Sequence, residues 1–340
     1  MKIFSGSLRY RFAAAAVLTV AGVATAGAAT GAIGGPAGPG CKGPELTGTA
    51  SPALILNPPQ TVSVTETLTA NCPGPELAHI VLYLTGPQGW TVTPPGAREV
   101  PSLRPGKADT LTWHVQVPAG AGGSGLTAQA IYDTGPHSTD SVRATIAASV
   151  AYPSVAAAYD NTGITNDTST GPGNIDGSGY SLSAQALAAA GYPPGSTVTA
   201  GGLSFTWPGA AAGQPDNIVA GGQAILAGGS GATLGFLATS TYGPASGTGT
   251  VLYTDGTSQP FTLSVPDWYV SPPSGSDPVI TLPYRNAPGN AQDQHPVHVY
   301  YLGIPLTQGK TVRAVVLPDV SSSPPVAGSA ALHVFAMTIG

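Results

Sequence analysis

Glycine and proline interrupt this chain so often that long helices cannot form. The 340 residues include 47 Gly and 34 Pro, and both residue types disfavour the interior of a helix. The glycines follow no three-residue period, which excludes collagen. A content of 42% apolar residues can fill a core, which argues against disorder. The sequence therefore predicts an all-β protein, of two domains by its length.

The N-terminus has the pattern of an export signal. Lys2, Arg9 and Arg11 precede an apolar segment and an Ala-Gly-Ala cleavage site that ends at Ala28. An uncleaved anchor is the alternative, because small residues continue beyond that site. We expect a signal peptide at 1–28, a secreted protein and a flexible Gly/Pro/Ala-rich leader at 29–50.

Charge limits the partners of the mature chain. Removal of the signal takes three of the 11 basic residues and leaves 8 against 16 acidic ones. A net charge of this sign argues against electrostatic binding of nucleic acid or of an anionic membrane. Neutral polymers remain open as partners.

The chain has two cysteines, Cys41 and Cys72. In an exported protein two cysteines are expected to pair, so we predict a disulfide between them. A metal site is the weaker alternative, because only His79 lies near them in sequence and a closed zinc site needs four ligands.

Residues 51–150 predict a first domain made of short strands. Apolar and polar residues alternate in Thr61–Thr65, His79–Leu84 and Thr110–Val117, and turn residues such as Gly86-Pro87-Gln88-Gly89 separate the segments. Seven or so half-buried strands at this spacing indicate a β-sandwich of the immunoglobulin type.

Four segments of this region resemble the NEW domain of bacterial alpha-galactosidases. They are Gly89-Trp90-Thr91-Val92, Leu103-Arg104-Pro105-Gly106, Thr112-Trp113-His114-Val115 and Val117-Pro118-Ala119. The resemblance covers about 100 residues. It implies a fibronectin-like sandwich of the kind found beside catalytic domains in secreted glycosidases, and it says little about a ligand.

Residues 151–340 differ in their acids, which are nine Asp and no Glu. Asp is common in turns and calcium loops, whereas Glu favours helices. Alternating segments such as Val297–Leu302 and Leu332–Ile339 predict a larger, jelly-roll-like β-sandwich. One helix is expected from Leu182 to Ala190, with Ser181 as its N-cap and Gly191 just after its end.

This second region is similar to a C-terminal accessory module of secreted actinobacterial glycosidases. The motifs include Tyr159-Asp160-Asn161-Thr162-Gly163-Ile164, Gly173-Asn174-Ile175-Asp176-Gly177, Phe205-Thr206-Trp207-Pro208 and Leu332-His333-Val334-Phe335-Ala336. The resemblance implies a non-catalytic module that accompanies carbohydrate-active enzymes.

A loop rich in carboxylates and amides is a candidate calcium site. Its residues are Asp160, Asn161, Asp167, Asn174 and Asp176. Crowded side-chain oxygens among glycines suit a hard cation, and the resemblance points to a structural calcium in such a loop. The alternative is that these residues only form Asx-turns.

A second group of residues is the candidate sugar site. Asp267-Trp268-Tyr269 lies at the end of a predicted strand, and Asp216 and Asn217 follow a Gly/Pro turn. Sugars stack their C–H face on aromatic rings and bond their hydroxyls to carboxylates and amides. Trp268 could equally be a core residue, and Asp216-Asn217 could cap a turn.

Catalysis is not expected. A glycosidase needs two carboxylates on a rigid site, and two sandwiches leave no room for a barrel of about 250 residues. The sequence has no Gly-x-Ser-x-Gly motif. We predict a carbohydrate-binding or glycosidase-accessory protein, whose partner is a polysaccharide or cell-wall glycan and in addition a secreted glycosidase. The alternatives are a structural or adhesive cell-surface protein and, less favoured, a hydrolase.

Overall fold

The computed structural model describes residues 46–340, with gaps at 52–53, 57–59, 74–75, 136–137, 145–148 and 277. The predicted signal peptide at 1–28, most of the predicted leader and Cys41 lie outside the described residues. The protein is nearly all β, which confirms the predicted fold class, and its strands form two units.

The first unit is a sandwich of two four-stranded sheets. The orders are β1-β3-β7-β5 and β6-β4-β8-β9, and a short parallel pair, β2 with β10, lies beside them. The strands are β1 (Leu46–Ser51), β2 (Leu54–Ile55), β3 (Gln60–Ala70), β4 (Leu77–Thr85), β5 (Thr91–Thr93), β6 (Arg98–Leu103), β7 (Ala108–Val117), β8 (Thr127–Gly135), β9 (Ser138–Ala144) and β10 (Ser149–Val150).

Alternation along β3 and β7 builds the core of this sandwich. Val64 and Trp113 face each other in register and are fully buried, while the residues between the core positions of β7 are exposed. Because side chains alternate across a strand, one face packs inward and the other meets water. Glu66 lies on the inward face of β3 and is also fully buried.

The sandwich begins earlier than predicted. Leu46 is fully buried and pairs with Ala70, so residues 46–50 belong to β1 rather than to the predicted flexible leader at 29–50. Cys72 follows β3 and is buried. Its predicted pairing with Cys41 stays a prediction, because Cys41 is not among the described residues.

The second unit contains four sheets and one helix. The sheet orders are β15-β25-β17-β23-β20, β16-β24-β18-β19, β11-β12-β21-β22 and β13-β14. The elements are β11 (Ile164–Thr165), β12 (Ser181–Ser183), α1 (Ala184–Ala189), β13 (Thr197–Ala200), β14 (Leu203–Thr206), β15 (Ile218–Val219), β16 (Ala224–Ser230), β17 (Thr233–Thr241), β18 (Ala245–Tyr253), β19 (Ser258–Val265), β20 (Pro278–Leu282), β21 (Arg285–Ala287), β22 (Ala291–Asp293), β23 (Val297–Pro305), β24 (Thr311–Val316) and β25 (Ala331–Ile339), with a 3-10 turn at Ala156–Ala158.

The five-stranded sheet is covered on both faces. Phe236 and Val334 pack toward the sheet that contains β16, whereas Leu237 and Phe335 pack toward the small sheet with α1 and the β13-β14 hairpin. Neighbouring residues thus enter opposite cores, as strand geometry requires. The unit is a β-sandwich with a third layer that the sequence analysis did not anticipate.

The helix α1 is shorter than predicted. It spans Ala184–Ala189, and the Ser183 hydroxyl accepts a hydrogen bond from the Ala186 N–H at 3.0 Å. The predicted start at Leu182 and the predicted cap Ser181 are wrong, because both residues pair with β21 in β12. Gly191 follows the end of the helix with φ of 93°, as predicted for that position.

Backbone hydrogen bonds cross the junction between the units. The Ala151 N–H bonds the Ile55 carbonyl at 3.0 Å, and the Tyr152 N–H bonds the Ala224 carbonyl at 2.8 Å. A Cβ on Gly123 would lie 2.1 Å from the Tyr152 hydroxyl, so only glycine fits under that ring. Residues 151 and 152 are therefore hydrogen-bonded to both units. Within the described residues, no helix is long and apolar enough to cross a membrane.

Candidate functional site

Asn161, Asp216 and Asn217, predicted in two separate sites, lie together in one buried network. The Asp216 carboxylate accepts hydrogen bonds from the Gly163 N–H at 3.0 Å, the Ile164 N–H at 2.8 Å and the Asn217 amide at 2.8 Å. The Asn217 amide also bonds the Asn161 carbonyl at 3.1 Å. The network pins the loop before β11 onto the turn before β15.

This packing explains the glycine in Asp160-Asn161-Thr162-Gly163. A Cβ on Gly163 would lie 2.6 Å from the Asn217 amide nitrogen and 3.0 Å from the Asp216 carboxylate. Asp216 is 1% exposed and Asn217 fully buried. The prediction that they contact a sugar is therefore wrong, because solvent cannot reach them.

His333 extends the network on β25. Its Nδ1 lies 2.8 Å from the Asn217 side-chain oxygen, and the ring is fully buried. Burial lowers the pKa of His333 to about 3 and raises the pKa of Asp216 to about 7, although Asn217 and two backbone N–H groups oppose the second shift. A neutral imidazole suits this interior position.

The remaining members of the predicted calcium loop serve separate turns. Asp160 accepts from the Val219 N–H at 2.8 Å, and Asp176 accepts from the Ser178 N–H at 2.9 Å and the Tyr180 N–H at 3.3 Å. The Asn174 N–H bonds the Thr162 carbonyl at 2.9 Å. Throughout the described ranges, no group of three or more acidic, His or Cys side chains could hold a metal. The three aspartates of the predicted loop are therefore not brought together in one cluster, and calcium binding stays a prediction.

Asp167, the fifth member of that loop, lies in a polar cluster near the surface. Its carboxylate accepts from the Ser183 hydroxyl at 2.5 Å, the Tyr284 hydroxyl at 2.8 Å and the Gln292 amide at 2.9 Å. Its backbone N–H donates to the Gln185 side chain at 3.0 Å. These hydrogen-bond partners are supplied by α1, its cap and the small sheet, so Asp167 ties the third layer together.

Trp268 is buried and cannot serve as the predicted stacking platform. Its backbone N–H donates to the Ser240 carbonyl at 2.8 Å, and its backbone carbonyl accepts from the His298 N–H at 2.9 Å. The residue thus continues the five-stranded sheet, and its side chain, 2% exposed, lies in the core beneath the third layer. Asp267 is also buried, and its carboxylate accepts from the Tyr269 N–H at 2.7 Å and from the Gly243 N–H.

Tyr269, the last residue of that motif, reaches the surface in a stack. The Arg285 guanidinium lies 4.1 Å from the Tyr269 ring centre and 3.8 Å from that of Tyr180. On its other side, Tyr269 stacks on His295 with ring centres 3.8 Å apart. Arg285 is oriented by Asp293, whose carboxylate accepts from its Nε at 2.9 Å. Both faces of the half-buried Tyr269 ring are therefore covered.

Tyr242 presents its ring to solvent next to this stack. It lies in the turn between β17 and β18, is 44% exposed, and has a left-handed backbone with φ of 54°. Its hydroxyl lies 2.7 Å from the Ser178 hydroxyl. Ser178 is two residues from Tyr180, and the next turn residue, Gly243, donates to Asp267. A loop of contacts thus joins Tyr242 to the arginine stack.

We call Tyr180, Tyr242, Tyr269 and Arg285 the tyrosine end of the second unit. Two exposed valines adjoin it: Val270 follows Tyr269, and the Val326 backbone lies beside Gly177, 2.7 Å from where an added Cβ would be. Non-glycine residues with positive φ cost about 1–2 kcal/mol and cluster at functional sites. Of the four residues, only Tyr269 was predicted from the sequence as a site residue. A usable signal existed, because Arg285 is one of three basic residues in this unit.

Two known domain families match the chain, and the boundary between the two matches agrees with the boundary between the two units. Residues 56–132 match the NPCBM-associated, NEW3 domain of alpha-galactosidase, and residues 150–275 match the AziU2-like beta-sandwich domain. The predicted architecture, a NEW domain followed by a β-sandwich module, is confirmed.

Whole-chain comparisons add no functional argument. A search of curated proteins finds no significant match. Among solved structures, the secreted serine protease VesC from Vibrio cholerae is 10% identical at a TM-score of 0.26, and the alignment covers 84% of this chain and 49% of that one. The chain thus spans about half of the VesC structure, and a TM-score this low carries no inference.

Proposed function

We propose that this protein is a secreted, non-catalytic accessory protein of glycosidases, and that its second unit binds a glycan at the tyrosine end. The observation that carries the proposal is the exposed Tyr242 ring, fixed by Ser178 beside the Tyr180–Arg285–Tyr269 stack. An aromatic face with hydrogen-bond donors beside it is the chemistry that sugar rings need.

Tyr242 can perform the stacking that was predicted for Trp268. A pyranose presents a face of C–H groups, and a tyrosine ring packs against such a face while its hydroxyl keeps a polar partner. Because the Ser178 contact limits motion of the ring, less entropy is lost when a sugar binds. Tyr269 supports the site from within rather than stacking on the ligand.

The first unit supports the link to glycosidases. It matches a domain family whose description names alpha-galactosidase and an NPCBM association. We propose that its partner is a secreted glycosidase, and that the held junction at Tyr152 fixes the glycan-binding end relative to that partner. The same junction favours a second candidate function, a rigid cell-surface spacer without sugar specificity.

The roles of the buried acids support a non-catalytic protein. Asp176, Asp216 and Asp267 each accept hydrogen bonds from backbone N–H groups of turns, and Glu66 is fully buried on β3 of the first sandwich. The three aspartates stabilise loops, Glu66 faces the core, and none of the four carboxyls is presented to a substrate.

Export and a Cys41–Cys72 disulfide complete the proposal. The pattern of residues 1–28 and the two cysteines support both. Mass spectrometry of the protein recovered from culture medium, after thiol alkylation without reduction, is expected to find the signal absent and no alkylated cysteine. Recovery of two alkylated thiols would contradict the disulfide.

Retention on polysaccharides tests the central claim. The full mature chain is applied to insoluble β-mannan, galactan, glucan and chitin, alongside Tyr242→Gly, which removes the ring from the left-handed position. We expect retention on at least one polymer and at least a tenfold loss for Tyr242→Gly, since stacking of one ring contributes about 0.5–1.5 kcal/mol in addition to the apolar area that it buries.

Tyr83→Gly in the first unit is the matched control, because Tyr83 is also exposed, at 38%. It should leave retention unchanged. Failure of the wild-type chain to bind any of the polymers would refute glycan binding and favour the spacer.

A further inference from the structure

We propose that Arg285 makes the tyrosine end selective for neutral glycans, by donating two hydrogen bonds to adjacent hydroxyls of one sugar. This inference rests on the proposed glycan-binding function and names its ligand class. The observation that carries it is a guanidinium that lies between two tyrosine rings and has one acceptor, Asp293, among the described residues.

The Arg285 side chain is positioned by four contacts, one of which is the buried Trp268 ring at 5.2 Å. Tyr180 and Tyr269 lie 3.8 and 4.1 Å from the guanidinium carbon, and Asp293 accepts from Nε at 2.9 Å. Within the described part of the chain, Asp293 is the only hydrogen-bond acceptor of this guanidinium. The two terminal nitrogens therefore keep donors for a ligand, although the side chain is only 11% exposed.

A fixed guanidinium edge recognises paired acceptors. Its N–H groups point outward in one plane with a spacing that matches two neighbouring oxygens. Vicinal hydroxyls of a pyranose and a carboxylate both supply such a pair. Because the stacking rings hold the plane, little side-chain entropy is lost on binding.

Local charge decides between these two acceptors. Asp293 neutralises Arg285, and two further carboxylates bond the backbone of the tyrosines around it: Asp176 accepts from Tyr180 and Asp267 from Tyr269. The site is thus net negative, and so is the whole chain, at −5. A uronate or phosphate would be repelled, whereas neutral hydroxyls would not.

Lys310 provides a comparison within the same unit. Its Nζ lies 5.4 Å from the Tyr253 ring centre and pairs with Asp255 at 3.0 Å, as Arg285 pairs with Asp293. It also donates to the Thr257 hydroxyl at 2.6 Å. Lys310→Gln removes the same charge from a tyrosine contact outside the tyrosine end, so it is the matched control for Arg285→Gln.

Chemically altered polymers test the inference without altering the protein. The mannan, the galactan and a 1,4-linked glucan, which carry vicinal diols, are each used in native form, after C6 oxidation to the uronate, and after periodate cleavage of those diols. Retention on chitin alone, which has no such diol, would overturn the inference. For the polymer that the chain retains, we expect the uronate form to bind several-fold more weakly and the cleaved form at least tenfold more weakly. Arg285→Gln should bind the native form at least tenfold more weakly than wild type. Lys310→Gln should bind it as tightly as wild type.

Each result has a definite meaning. If the native polymer binds but the uronate or cleaved form binds equally well, glycan binding stands and this inference is overturned. Unchanged binding by a folded Arg285→Gln, checked by its unfolding temperature, also overturns it. If Arg285→Gln does not fold, the three polymer forms decide alone. If no native polymer binds the wild-type chain, the proposed function fails as well.

Discussion

In the first unit the Glu66 carboxyl lies in the sandwich core without a hydrogen-bond partner among the described residues, whereas the Asp216 carboxylate of the second unit, equally buried, accepts three N–H bonds. Burial of a polar group costs free energy unless its bonds are replaced. Burial raises the pKa of both acids, to about 8 for Glu66 and to about 7 for Asp216. The difference lies in compensation: Glu66 has no donor among the described residues, whereas the donors of Asp216 oppose its shift and fix the loops that lead to the candidate site.

Loss of Asp216 should produce the largest effect. Asp216→Ala leaves the Gly163 and Ile164 N–H groups and the Asn217 amide buried without an acceptor, at about 1–3 kcal/mol for each group. We expect unfolding free energy to fall by about 4 kcal/mol, measured by urea denaturation. Asp255→Ala is the control, because Asp255 caps an exposed turn, and its effect should be far smaller. Equal losses for both would remove the distinction between networked and surface acids.

Replacement of Glu66 should stabilise the first unit. Burial raises the pKa of Glu66 from 4.5 to about 8. The folded state therefore binds a proton that the unfolded state releases above pH 4.5, so stability falls as pH rises toward 8. Glu66→Met removes this cost, about 3 kcal/mol at pH 7 by the usual 1.36 kcal/mol per pKa unit.

The pH dependence makes this prediction specific. The stability gain of Glu66→Met over wild type should grow between pH 4.5 and 8, measured by denaturation across that range. Glu99→Met, at an exposed position of the same unit, should give no such slope. A gain that stays constant with pH would mean that Glu66 has a partner and that the contrast between the units is false.

Local patterns predicted the strands better than the site. Alternation located β3 and β7, and the same alternation places Glu66 among Val64 and Leu68 on the core face, a signal that the sequence analysis passed over. Trp268 could not be placed correctly, because the third layer that covers it is brought there by residues distant in sequence. The exposure of Tyr242 could not be predicted either, because it depends on the turn between β17 and β18 and no sequence pattern marks it.

The smallest effect concerns backbone strain, which both units contain. His79 in the first unit and Tyr242 in the second have left-handed backbones, with φ of 50° and 54°. Glycine adopts this conformation without the steric cost of about 1–2 kcal/mol, although it loses more entropy on folding. Each substitution by glycine should therefore stabilise its unit by up to about 1 kcal/mol, measured by thermal unfolding.

Polysaccharide retention should distinguish Tyr242 from His79, the two residues with left-handed backbones. Tyr242→Gly is expected to gain stability and lose polysaccharide retention, whereas His79→Gly should gain stability and keep it, because His79 pairs with Asp133 at 2.8 Å, away from the tyrosine end. The strained backbone of Tyr242 would then serve to position a ring that binds the glycan. If Tyr242→Gly instead lowers stability and leaves retention intact, the ring is a packing element and the tyrosine end is not the glycan site.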